Sequence, residues 1–172
     1  TYYRGSKFNY DEIHRLLLAI HDQADLVILD HLHYVDIDDD NENRGFKSAI
    51  KMIRDLSIGM GRPIILIAHL RKRDQRGRQL VSTLDDFHGS SNVTKISTQA
   101  VLIERAPMTP DKWYQSPTFI TIPKDRRSGA CRLVAVSNFD QRIRAYSEHY
   151  ALGRQGKGGE WEQIQPGDVP SW

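Results

Sequence analysis

Residues 24–36 read ADLVILDHLHYVD. Leu26 to Leu29 are all apolar. An extended segment there meets nonpolar surroundings on both faces, which predicts a fully buried strand over 26–30 of the kind found in parallel sheets. The run ends in a carboxylate, Asp30, followed by two imidazoles, His31 and His33. A carboxylate at the end of a buried strand is costly unless it meets a cation or hydrogen-bond donors. Three uses are open to it. It can simply cap or solubilise the strand end. It can hold Mg²⁺ beside phosphates, often through water. It can join His31, His33 and the later His69 around zinc. No cysteine pair supports the zinc site, and His31 and His33 share a side only if the strand continues through them.

The flanks decide what kind of sheet this strand enters. PIILIAHL, residues 63–70, repeats the pattern and also ends in a polar residue, His69. Between the two runs, residues 45–58 predict a helix that buries Phe46, Ala49, Ile50, Ile53 and Leu56 and is ended by Gly59, Gly61 and Pro63. An earlier helix is predicted over 9–22, capped by Asn9 with Glu12 at the reciprocal position, and with Ile13, Leu16, Leu17 and Ile20 on one face. Strand, helix and strand predict a parallel α/β sheet, because parallel neighbours need a crossover. In such sheets ligands sit at the carboxyl ends of the strands, where Asp30 and His69 both fall. Further on, a short helix is expected over 90–98 and a third strand over QAVLIER, 99–105. A proline-rich loop follows at 106–117. TFITIPKD, RLVAVSNF and RIRAYS then predict an antiparallel meander on the sheet edge, with turns at Arg127–Gly129 and Asp140–Gln141. Residues 1–150 read as one domain and 151–172 as a polar, Gly-rich, loosely held tail.

Composition sets outer limits. Of 172 residues, 39% are hydrophobic and 27% charged, which fits a packed globular domain and argues against disorder. No apolar run approaches the roughly 20 residues that span a bilayer, so no membrane partner is expected. The single cysteine, Cys131, permits no internal disulfide, fits a reducing cytoplasmic setting and reads as a small strand residue. Net charge is only +2, but it is unevenly distributed. Residues 36–42, DIDDDNE, are acidic and read as a solvated loop, whereas RKRDQRGR at 71–78 is strongly basic and suited to a polyanion.

Four of these segments resemble, in order and spacing, the second half of the RecA-like ATPase domain of ring helicases of the DnaB type, nearest in flavour to phage primase-helicases and plasmid RepA-type helicases. They are LVILDHLHYVD, PIILIAHLRKR, DDFHGSSNVTKISTQAVLIER and ITIPKDRRSG, and together they cover about residues 10–147. The resemblance implies a P-loop NTPase fold: a mostly parallel sheet with helices on its faces and an antiparallel edge meander. It implies ATP or another NTP with Mg²⁺ as cofactors, single-stranded DNA as partner and a homo-oligomeric, hexameric ring. Asp30 matches the Walker B aspartate that positions Mg²⁺, through water. His69 matches the residue that senses the γ-phosphate. Arg126 matches the arginine finger that acts on ATP held by the neighbouring subunit, and Lys124 its companion cation. Arg71, Lys72, Arg73, Arg76 and Arg78 match the channel loop that grips single-stranded DNA, where cations neutralise phosphates without reading bases. Gly89 and Ser90 match a family turn. His31 and His33 match no functional position and become bystanders.

One departure from the family is large. The sequence contains no GxxxxGK[ST] phosphate loop, and GRQGKGGEW near its end has neither a preceding strand nor a Ser or Thr after the lysine. The family's catalytic glutamate also lies upstream of the matching region. With no initiator methionine before Thr1, the expectation is a fragment that begins in mid-domain and lacks the phosphate-loop strand. Because that strand neighbours the sensor strand in the family, Ile64 to Ala68 should carry an unpaired apolar edge, a liability for self-association. The alternatives are a non-catalytic RecA-like module that binds nucleic acid or protein, and a RecA-like ATPase that is not a helicase.

Overall fold

In the computed structural model, residues 8–36, 42–70, 82–86, 91–106, 111, 114–129, 131–155 and 161–165 are described. The chain divides into two compact units, Thr1–Arg73 with Asp85–Ser97, and Asp74–Leu84 with Thr98–Trp172.

The first unit is helical with a small parallel sheet. Helix α1 spans Tyr10–Ile20 and starts where Asn9 places its side-chain oxygen 3.0 Å from the Glu12 N–H. That bond satisfies one of the donors left open at every helix start. The Glu12 carboxylate takes the Arg15 guanidinium at 2.6 Å. Strand β1 is Val27–Leu29, helix α2 Glu42–Met60, strand β2 Ile64–Leu66 and helix α3 Ser91–Ile96. β1 and β2 pair in parallel, Val27 with Ile64 and Leu29 with Leu66, across the α2 crossover. Ile13 and Leu17 of α1, Val27 of β1, and Phe46, Ile50, Met52 and Ile53 of α2 form the core, joined by Leu32 and Val35. All the predicted core positions of α2 from Phe46 to Ile53 are buried. The helix ends in a Schellman motif: Gly61 N–H donates to Ile58 O and Arg62 N–H to Ser57 O, each at 3.2 Å, with Gly61 at φ +62°.

Among the described residues of this unit, one face of the β1–β2 pair packs on the core and the other is exposed. Val27, Leu29, Ile64 and Leu66 pack on the core, whereas Ile28 on the opposite face is 57% exposed and its register partner Ile65 is 48% exposed. This corrects the burial on both faces that the continuous apolar runs predict. Apolar sequence creates a demand for cover without supplying it. β2 pairs with no described strand other than β1, so the open edge expected at Ile64 to Ala68 is present among the described residues.

The second unit is a five-stranded antiparallel sheet in sequential order: β3 Gln99–Arg105, β4 Gln115–Asp125, β5 Leu133–Asp140, β6 Ala145–Gln155 and β7 Trp161–Ile164. This corrects the mostly parallel sheet. Among the described strands only β1 and β2, joined through α2, pair in parallel, beside an isolated parallel bridge of Asn9 with Asp36, while β3 to β7 pair antiparallel with their neighbours in sequence. The meander also extends past the expected boundary of a tail at residue 151. β6 continues to Gln155 and β7 adds a further strand, both sustained by ladder pairing of Leu152 with Ile164 and Arg154 with Glu162. Leu102, Thr121, Val134 and Gly153 form one buried cross-strand row.

Candidate active site

Asp30 and His69 lie just beyond the carboxyl ends of β1 and β2, where the sequence places them. The pairing of the two strands continues past their ends. Ile67 N–H donates to Leu29 O and Leu32 N–H to Ile67 O, both at 2.9 Å. These two bonds hold the segment after Asp30 against the continuation of β2, and so bring the two strand ends together.

The backbone then turns. Leu32–Tyr34 is a 3-10 helix, with Tyr34 N–H donating to His31 O at 3.0 Å. The strand therefore does not continue through His31 and His33, which removes the geometry the zinc reading required. Among the described residues no group of three metal-capable side chains converges. The peptide bond between Asp30 and His31 is cis. Leu32 and Val35 anchor the turn in the core, and Asp36 N–H donates to Phe8 O at 2.9 Å, tying the exit of the turn to the entry of α1.

His31 is the residue whose contacts the sequence did not announce. Its side chain is only 17% exposed, with Nδ1 3.7 Å from the Asp30 carboxylate, while the Asp30 side chain itself is 70% exposed. The His31 ring meets His69 edge to face at 4.2 Å between centroids, and meets Tyr34 in the same manner at 4.7 Å. His31 lies between the strand-end carboxylate and the strand-end histidine. No sequence signal singles it out, because its contact with His69 depends on the register of β1 against β2.

Lys124 and Arg126 belong to the second unit, at the end of β4 and in the turn that follows. Lys124 pairs in register with Ala100, and Arg126 is exposed, with its N–H donating to Thr98 O at 3.0 Å. The turn is stapled by Asp125. Its carboxylate accepts from the Ser128 hydroxyl at 2.7 Å, from the Arg127 and Ser128 N–H groups at 2.9 and 3.3 Å, and from Gln99 Nε2 at 3.2 Å. The Ser128 hydroxyl, aided by those backbone donors, holds the Asp125 carboxyl below the usual aspartate range. Gly129 closes the turn at φ +72°. Asp125 was readable as an Asx-type turn former, an acid directly before a basic, Ser- and Gly-containing turn. It is the side chain that orders the backbone carrying Arg126.

The basic loop residues Arg71, Lys72, Arg73, Arg76 and Arg78, the turn residues Gly89 and Ser90, and residues 37–41 of the acidic stretch lie outside the described residues, as does the side chain of His33. No described helix is long and apolar enough to cross a membrane.

No family model matches the chain, and no curated protein matches it in sequence. Solved structures do. One of them, an ATPase domain, superposes with a TM-score of 0.55 at 12% identity, over 95% of this chain and 54% of that chain. A DnaB-like replicative helicase, studied in its interactions with primase, superposes with a TM-score of 0.53 at 10% identity, over 90% of this chain and 34% of that one. Identities this low establish a likeness of fold, and the chain spans little more than half the length of the first neighbour.

Proposed function

We propose that this chain is the C-terminal portion of a RecA-like ATPase domain from an ATP-driven, DnaB-type DNA helicase. The observation that supports it most directly is local. A parallel β–α–β unit presents an aspartate and a histidine at adjacent strand ends, linked through His31, and the fold is like that of a solved ATPase domain and of a DnaB-like helicase. The exposed Asp30 carboxylate is a hard oxygen donor open to solvent, which suits Mg²⁺ held through water beside phosphates. Bound there, the ion would supply charge neutralisation on the transferring phosphoryl group. Asp30 would hold that ion through its water shell, and His69 would be placed to donate an imidazole N–H to a phosphate oxygen. Arg126, on its stapled turn, reaches as a cation towards nucleotide held by a neighbouring subunit of a hexameric ring, with Lys124 beside it in sequence. Arg71, Lys72, Arg73, Arg76 and Arg78 neutralise the backbone of single-stranded DNA.

The 172 residues contain no phosphate loop, so this chain alone should bind nucleotide poorly and not hydrolyse it. The test is made on the full gene product. It should hydrolyse ATP, lose hydrolysis with Asp30→Asn, and lose hydrolysis while still binding nucleotide with Arg126→Ala. Hydrolysis that survives either change removes the role given to that residue. The missing phosphate loop favours a second reading, a non-catalytic RecA-like module that binds single-stranded nucleic acid or protein. A full gene product that also lacks a phosphate loop and binds DNA without hydrolysis would select that reading.

A further inference from the structure

One face of the antiparallel sheet in the second unit is built from rings, a guanidinium and small polar side chains. Register sets two neighbouring cross-strand rows on it. Arg105, Thr118, Ser137 and Tyr150 form one row, and Ser116, Phe139 and Tyr146 form the next. The Arg105 guanidinium lies over the Phe139 ring, 4.4 Å from its centroid, and Tyr146 meets Phe139 edge to face at 5.0 Å. Thr118 and Ser116 are fully buried, yet Tyr150 remains 58% and Tyr146 46% exposed.

The fully buried centre of a protein-docking patch is mostly apolar, although aromatic residues and arginine are common there too. Here the buried part of the two rows is serine and threonine, and the exposed material is aromatic faces with a stacked cation. The Phe139–Tyr146 row and the Ser137–Tyr150 row stand two residues apart along β5, ~7 Å. Successive bases of an extended strand can each find a ring there, while Arg105 meets a phosphate. Between the two tyrosines β6 is irregular: the register shifts, and the Ser137 hydroxyl donates to Ser147 O at 3.1 Å. The Glu148 carboxylate belongs to this irregular stretch and opposes the approach of a phosphate. We infer that this sheet face is a second binding surface for single-stranded nucleic acid, a stacking platform separate from the basic loop at 71–78. Rings give sequence-tolerant stacking, and the arginine adds a phosphate contact and a cation–π component.

The test is fluorescence anisotropy of a fluorescein-labelled oligothymidylate with this chain, because every residue of the platform lies in one unit. The intact chain should bind. Tyr146→Ala with Tyr150→Ala should weaken binding by about tenfold or more, the scale of losing base–ring stacking. The matching pair of Tyr→Phe changes should retain binding, and Arg105→Ala should flatten the salt dependence by roughly one phosphate contact. Circular dichroism confirms that each variant keeps its strands. In a parallel arm, Arg71→Glu, Lys72→Glu and Arg73→Glu are reversed together, and the residual binding should still depend on Tyr146 and Tyr150. Unchanged affinity in the tyrosine-to-alanine pair, or no binding by the intact chain, overturns the platform. If the loop reversal abolishes binding while the tyrosine pair leaves it intact, the platform fails and the helicase reading keeps its DNA loop.

Discussion

The imidazole of His31 meets the imidazole of His69 edge to face, 4.2 Å between ring centroids, across the carboxyl ends of two parallel strands. The contact makes His31 a positioning residue for His69. His31→Ala should move the His69 ring resonances in ¹H–¹³C NMR spectra while leaving the core methyl pattern of Ile13 and Leu17 in place. His31→Phe, which keeps an aromatic edge, should hold them close to their original positions. His69 signals indifferent to both changes would show that the two rings are independent in solution.

The turn that carries Arg126 should be sensitive to acid. Hydrogen bonds led by the Ser128 hydroxyl lower the folded-state pKa of Asp125 below its unfolded value. The staple is therefore fully present above the ordinary aspartate range and is lost as pH falls through the folded value. Amide shifts of Arg127 and Ser128 should follow one acid titration with a midpoint below that of an ordinary aspartate, and Asp125→Asn should abolish it. A midpoint at or above the ordinary value would contradict the staple. Asp140, lowered by Arg142 at 2.7 Å, should behave in the same way at the β5–β6 turn.

Two glycines near the end of α2 should respond in opposite directions. A Cβ on either meets nothing within 4 Å, so only backbone conformation decides. Gly61 sits at φ +62°, and Gly61→Ala should cost about 1 kcal/mol. Gly59 lies inside the last helical turn, and Gly59→Ala should stabilise by roughly 0.5–1 kcal/mol. Urea unfolding should show shifted midpoints of opposite sign with an unchanged slope.

Thr121 buries a hydroxyl in the row formed with Leu102, Val134 and Gly153, and no partner for Oγ1 is found among the described residues. Thr121→Val keeps the shape and removes the polar atom. It should raise stability by about 1 kcal/mol in chemical denaturation. A loss of that size would mean that the hydroxyl is hydrogen-bonded in solution.

Period and punctuation in the sequence determined the local elements. The apolar stripe of Phe46, Ala49, Ile50 and Ile53, the Asn9 cap, the glycine stop after Met60 and the two apolar strands ending at Asp30 and His69 were all legible, because each depends on neighbours within a few residues. The alternating strands of the meander were legible for the same reason, although β7 lay hidden in a polar, Gly-rich stretch whose ladder partner, Leu152 to Gln155, is needed to order it.

What only the tertiary structure decided is which groups meet across distant segments. An apolar run states that a strand can be buried and not that something covers it, so Val27 and Leu66 pack on the core while Ile28 and Ile65 face outward. Local direction was legible from the connections, parallel across the α2 crossover and antiparallel through the meander turns, but which strands share a sheet was not: β1–β2 and β3–β7 form separate sheets. Asp30, His31 and His69 became a cluster because Leu32 and Ile67 extend the β1–β2 hydrogen bonding beyond the strands, and Arg105 came to lie on Phe139 because register aligned β3, β4 and β5. Register is a long-range property: a slip of one residue would turn each of these side chains to the opposite face while leaving the local sequence pattern unchanged.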